Sequence, residues 1–137
     1  MAQERITVEA IVNAPIEAVW KAYTTPDQIT QWNFASDDWH CPNASVDLRE
    51  GGKFTSRMEA KDGSMGFDFE GIFTKIIPNE RIEYAFGDRS AVVEFTPEGE
   101  KTSLKVSFDP ENQFPIEQQR SGWTAILNNL CKHVEGH

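Results

Sequence analysis

Hydrophobic and polar positions alternate with a period of two from the start of the chain: Ile6, Val8, Ala10 and Val12 fall between Thr7, Glu9 and Ile11. That spacing predicts a strand with one buried face. The period then changes. Pro15 suits a first helical turn, and Ile16, Val19, Trp20 and Tyr23 recur at helical spacing to form one apolar face. A second helix start follows at once, because Thr25-Pro26-Asp27-Gln28 has the form of a capping box, with Ile29 and Trp32 as its apolar anchors. Each helix is only about two turns long and unstable alone, so both must pack against something larger.

That larger partner is predicted farther along. The passage "FASDDWHCPNAS" reads as a polar, turn-rich loop, after which alternation returns in "SVDLRE", "GKFTSRMEA", "GFDFEGIFTKII", "RIEYAF", "AVVEFT" and "TSLKVSF". The connectors "KDGS", "PNE", "GDRS" and "PEGEK" are short and carry Gly, Asp or Asn, which is hairpin chemistry and predicts an antiparallel meander. Beyond Gly71 the alternation blurs, with Ile72, Phe73, Ile76 and Ile77 occupying both parities, so a bulge or bend is expected there. The chain closes on a long helix expected from about Pro115 to Val134, with Ile116, Trp123, Ile126, Leu127, Leu130 and Val134 near one face and Gly122 interrupting it. The fold class is α+β: a seven-stranded antiparallel sheet wrapped around the C-terminal helix, with the short helices plugging a gap between the first strand and the rest.

Composition narrows the partners. At 137 residues and 39% apolar content, residues 1–137 fit a single domain. The formal charge of −9 opposes a sequence-independent grip on phosphate backbones or anionic lipid, so neither nucleic acid nor membrane is expected as a partner. No apolar run has spanning length and the N-terminus has no signal-peptide core, which gives the expectation of a soluble cytoplasmic protein. Cys41 and Cys131 stand far apart and are expected as free thiols.

The order of elements resembles the helix-grip fold of the START-like superfamily, also called SRPBCC and shared with the birch-pollen-allergen type of protein. Within it, "NAPIEAVWKAYTTPDQITQW", "GGKFTSRMEAKDGSMGFDFEGIFTKIIPNERIEYAF" and "QQRSGWTAILNNL" are similar to bacterial proteins homologous to the C-terminal domain of the heat-shock protein 90 ATPase activator. The resemblance implies a cavity between the long helix and the concave sheet, of the kind that often holds an apolar small molecule. It also implies an alternative, a co-chaperone-like stress-response protein acting on a heat-shock protein 90 type ATPase through its exterior, and a second one, a cyclase- or aromatase-like enzyme.

The residues bear on the cavity directly. Phe54, Ser56 and Met58, then Phe67 and Phe69, then Ile82, Tyr84 and Phe86 share parity and should face inward, while Lys53, Thr55, Arg57, Glu59, Asp68, Glu70 and Glu83 face water. The expected ligand-binding set is Trp32, Trp39, Phe54, Ser56, Met58, Phe67, Phe69, Tyr84, Phe86, Trp123 and Leu127, with the mouth between the short helices and the sheet rim. Gly122 is expected to thin the covering helix, and Trp39 to sit in a loop near the opening.

Other chemistry is weaker. "DDWHC" gathers metal-capable side chains without the spaced pairs a zinc site needs, and Cys41 beside His40 in sequence does not make a nucleophilic pair, so no metal, cofactor or catalytic residue is assigned. Acid–base catalysis would need a titratable group inside, and the best acids, Asp68 and Glu70, have outward parity. Gln119 and Arg120 either orient a ligand head group or lie on the surface, and His133 and His137 are expected to be solvated.

Overall fold

The structure, a computed structural model, describes residues 5–34, 36–111 and 115–136. Its elements run β1 (Ile6–Val12), α1 (Ile16–Thr24), α2 (Pro26–Ile29), β2 (Trp39–Val46), β3 (Lys53–Ala60), β4 (Gly66–Ile77), β5 (Arg81–Phe86), β6 (Arg89–Glu98), β7 (Lys101–Phe108) and α3 (Ile116–Glu135). The seven strands form one sheet in the order β1-β7-β6-β5-β4-β3-β2, and every pairing is antiparallel. The meander is therefore continuous from β2 to β7. The turn "PNE" has no glycine, and Asn79 takes the left-handed conformation (φ 62°) that Asn tolerates better than most residues.

Alternation places the core. On β5 Ile82, Tyr84 and Phe86 are buried, and on β7 Thr102, Leu104, Val106 and Phe108 are. Val19 and Ala22 of α1, Ile29, Trp32, and Leu127, Leu130 and Val134 of α3 join the same cluster, so both short helices and the long one pack on the inward face. The outward face carries ion pairs between neighbouring strands, Arg57 with Asp68, Lys53 with Glu70, and Arg81 with Glu94. Such exposed pairs contribute at most about 1 kcal/mol each, so burial on the other face is what holds the sheet.

Four local expectations are corrected. The loop expected before Ser45 is instead strand β2, which pairs with β3 and forms the edge of the sheet; Pro42 sits where the register shifts between His40 and Asn43. An edge bulge is where a strand tolerates proline, and that explains why the stretch has no strand-like pattern. The alternation of "SVDLRE" ends at Val46, with Arg49 N–H turning back to the Asp47 carbonyl at 2.8 Å. No gap separates the first strand from the others, since β1 pairs with β7 along its whole length; α1 approaches β6 and β7, while α2 approaches β2 at the far edge. Finally, Thr25 is the N-cap of α2 but makes no side-chain cap bond, so the capping box is not formed.

The bulge expected in β4 is present. The register shifts between Phe73 and Lys75, after which Lys75 lies opposite Glu83 and Ile76 opposite Ile82. One extra residue keeps both Phe73 and Ile76 on the inward side, which explains the mixed parity. Ile116, expected on the apolar face of the long helix, is exposed, one position inside its first turn.

Candidate ligand cavity

Between α3, the short helices and strands β3 to β5 lies a cavity of about 220 Å³. Its walls follow from the register. Ser56 stands opposite Phe69 and Met58 opposite Phe67, while Phe54 lies opposite Gly71. A Cβ at Gly71 would come within 2.9 Å of the Phe54 ring and 2.5 Å of the Ala85 carbonyl oxygen, so only glycine lets that ring lie across the strand. Phe54 then meets Tyr84 edge-on at 4.9 Å and Phe73 at 5.1 Å. The opposite wall is helical. Trp123 stacks on Phe108 (3.8 Å between centroids, 11° between planes), and Leu127 is buried beside it.

Of the residues expected from sequence, Trp32, Phe54, Ser56, Met58, Phe67, Phe69, Tyr84, Trp123 and Leu127 line this space. Trp39 and Phe86 do not. Trp39 opens β2 and rests against Phe67 at 6.0 Å, outside the lining. Phe86 is buried, packed between Phe69 and Trp123 with the Arg89 guanidinium 4.5 Å above its ring, and so has no face left for a ligand. Phe67 is 51% exposed and still lines the cavity, so the cavity comes close to the surface beside β4. Trp123 is half-buried, less enclosed than expected of a core ring. Gly122 does not line the cavity, so it is not what opens it.

Sequence reasoning missed Tyr23, Ile29, Phe73 and Ile126 among the lining residues. Phe73 was within reach: it keeps the parity of Phe67 and Phe69, and the bulge lies one residue beyond it. Tyr23 had a fainter signal, a tyrosine on an otherwise aliphatic and tryptophan-bearing helix face, where its hydroxyl needs a polar destination.

Side-chain bonds to backbone carbonyls tie the short-helix region together and to α3, and one closes the last turn of α1 on itself. Trp32 Nε1 donates to the Ala22 carbonyl at 3.0 Å, Thr24 Oγ1 to the Trp20 carbonyl at 2.8 Å, and Asn129 Nδ2 of α3 to the Phe34 carbonyl at 2.6 Å. His133 is half-buried with Nε2 3.3 Å from Gln28 Oε1, in place of the solvated position expected of it; His137 lies outside the described residues. Gln119 and Arg120 are away from the cavity. Gln119 is buried and brackets the Glu111 backbone with bonds of 2.9 and 3.0 Å, and Arg120 pairs with Glu117 at 2.8 Å.

Electrostatically the cavity is plain. Among the described residues its lining carries no Asp, Glu, Lys, Arg or His, and its titratable groups are the phenols of Tyr23 and Tyr84. Burial raises both above the ordinary phenol value, and Tyr84 is raised further by the nearby Tyr23, so both are neutral hydroxyls at physiological pH. Asp68 and Glu70 face outward in ion pairs with Arg57 and Lys53. Cys41 is buried with its thiol pushed up by desolvation, its sulfur 3.5 Å from the Asn43 carbonyl; both cysteines are free. No cluster of three or more metal-capable side chains forms among the described residues, and no helix among them is long and apolar enough to cross a membrane.

Comparison with known proteins agrees with this architecture. Residues 13–135 match the family model described as "Activator of Hsp90 ATPase homolog 1-like protein". Among solved structures, the chain is similar to an AHSA1-like protein from Aeromonas hydrophila, at 43% identity over 96% of this chain and 92% of that one, with a TM-score of 0.90. A protein from Cytophaga hutchinsonii is similar at 48% identity over 96% and 92%, with a TM-score of 0.83. One from Nitrosomonas europaea, at 21% identity over 99% and 97% and a TM-score of 0.82, shares the fold. No curated protein matches the chain.

Proposed function

The chain belongs to the Activator of Hsp90 ATPase homolog 1-like family, and from that premise and the cavity we propose that it binds an apolar small molecule between α3 and the sheet, without catalysing its conversion. The observation that carries the reading is the cavity itself: an aromatic-walled space that a close-packed interior would fill, reached past a half-exposed Phe67. A general base for cyclase-like chemistry would have to come from the lining, whose titratable groups among the described residues are two neutral phenols, and the carboxylates best placed by sequence are turned outward.

Native mass spectrometry of freshly purified protein tests the proposal, since a retained ligand reports its own mass. Ser56→Phe supplies the control. Ser56 is buried on the cavity wall opposite Phe69, so the added ring enters empty space and should remove the bound mass while the thermal transition is kept. Unfolding of Ser56→Phe, with no retained mass in the parent protein, would mean the space is solid core in solution. The description of the family supplies the competing reading, action on an Hsp90-type chaperone through the exterior. Binding to the bacterial homologue of that chaperone, unchanged by Ser56→Phe, would favour it.

A further inference from the structure

The cavity contains two hydroxyl groups that its own fold does not use. Thr24 Oγ1 and Trp32 Nε1, also on the lining, spend their protons on backbone carbonyls of α1, and the Ser56 hydroxyl lies in hydrogen-bonding reach of the Cys41 thiol. Tyr23 and Tyr84 do not: among the described residues neither hydroxyl has a hydrogen-bond partner, although both rings pack in the aromatic cluster. No fully enclosed side-chain oxygen is left unpaired among the described residues, so these hydroxyls keep some access to solvent, and both residues line the cavity. They come from opposite walls, one from α1 and one from β5. Once a ligand displaces that solvent, a hydroxyl left without a partner costs free energy, and a ligand oxygen placed between the walls would satisfy it.

We infer that the cavity is selective for an uncharged ligand, an aromatic or alicyclic ring bearing an oxygen acceptor such as a ketone, ester or ether, held by the hydroxyls of Tyr23 and Tyr84. The inference rests on the binding function proposed above and specifies its ligand class. Three features support it. The space of about 220 Å³ falls below the roughly 300–1,000 Å³ of pockets for drug-sized ligands, which suits a compact ring compound over a long chain. The walls present ring faces and edges from Phe54, Phe69 and Trp123. No cation lines the space among the described residues, so an ionised carboxylate would be buried there without a counter-charge, and that is costly. Because the phenols stay protonated far into the alkaline range, they donate at every physiological pH.

The test uses acetophenone, ethylbenzene and benzoate, which share a ring and differ in a ketone, a methylene and a carboxylate. Affinities are read by NMR titration of the full chain and of Tyr23→Phe, Tyr84→Phe and the double variant. Each substitution removes an oxygen and keeps the ring, so the cavity walls are retained. Acetophenone should weaken by roughly five- to tenfold in the double variant, the loss of about one hydrogen bond, while ethylbenzene is unchanged or tightens. Benzoate at pH 7 should bind at least about tenfold more weakly than acetophenone to the parent protein. Equal losses for acetophenone and ethylbenzene, or no loss for acetophenone, would overturn the role of the tyrosines and leave the cavity reading standing. Benzoate binding as tightly as acetophenone would overturn the neutral-ligand limb. Failure of all three probes to shift resonances of cavity residues in the parent protein would overturn both this inference and the binding function beneath it.

Discussion

Tyr84 shows how one side chain joins stability to function. The residue is 5% exposed, its ring packs against Phe54, Phe69 and Phe86, and it lines the cavity. Burial raises its folded-state ionisation above the value near 10.0 that applies unfolded. The stabilisation linked to the neutral phenol is therefore fully present below about pH 10 and is lost as pH rises toward the folded-state value, because above pH 10 the unfolded chain releases the proton first. Urea melts from pH 8 to pH 11.5 should show the midpoint of the parent protein falling more steeply than that of Tyr84→Phe; parallel curves would mean that the phenol is already solvated. Trp123 behaves differently. It is half-buried and stacked on Phe108, so Trp123→Ala should cost about 2–3 kcal/mol in denaturant melts, at or below the lower end of the roughly 3–5 kcal/mol of fully buried rings.

Elements constrain their residues in opposite ways in β4 and α3. Gly71 in β4 is tightly confined by Phe54 and the Ala85 carbonyl, so Gly71→Ala must push the ring or the strand aside and should destabilise by about 1–3 kcal/mol, with loss of ligand binding as the Phe54 wall shifts. Gly122 in α3 has nothing within 4 Å of its missing Cβ. Gly122→Ala should therefore stabilise the helix by about 0.5–1 kcal/mol and leave binding unchanged, which thermal melts and the same NMR titrations would check. The contrast is between a glycine that makes room for an aromatic wall and one that packing does not require.

Across the whole molecule, charge and cavity are separated. The formal charge of the chain is −9, whereas the cavity lining has no charged side chain among the described residues. Association with a neutral ligand should consequently change by less than about twofold between 50 and 500 mM salt, because exposed charges are screened and none faces the ligand. A strong salt dependence in the titrations would point instead to binding on the outer surface, where a chaperone partner would be recognised.

Periodicity determined six of the seven strands, the two short helices and the long closing one, because each element buries a single face and its apolar residues must recur at the period of its own geometry, and the short connectors made the sheet a meander. The same parity carried Phe54, Ser56, Met58, Phe67, Phe69 and Tyr84 onto the cavity wall. Tertiary structure decided what local pattern does not encode. β2 exists because the β3 edge supplies its hydrogen bonds, which a stretch containing Pro42 and Asn43 does not advertise. Phe86 left the wall because Phe69, Trp123 and Arg89 close over it, and Tyr23 joined it because α1 comes to rest above the sheet. Whether inward-facing rings meet or leave space between them depends on the distance between helix and sheet, a quantity set by all the packing contacts together and written in no single segment of the chain.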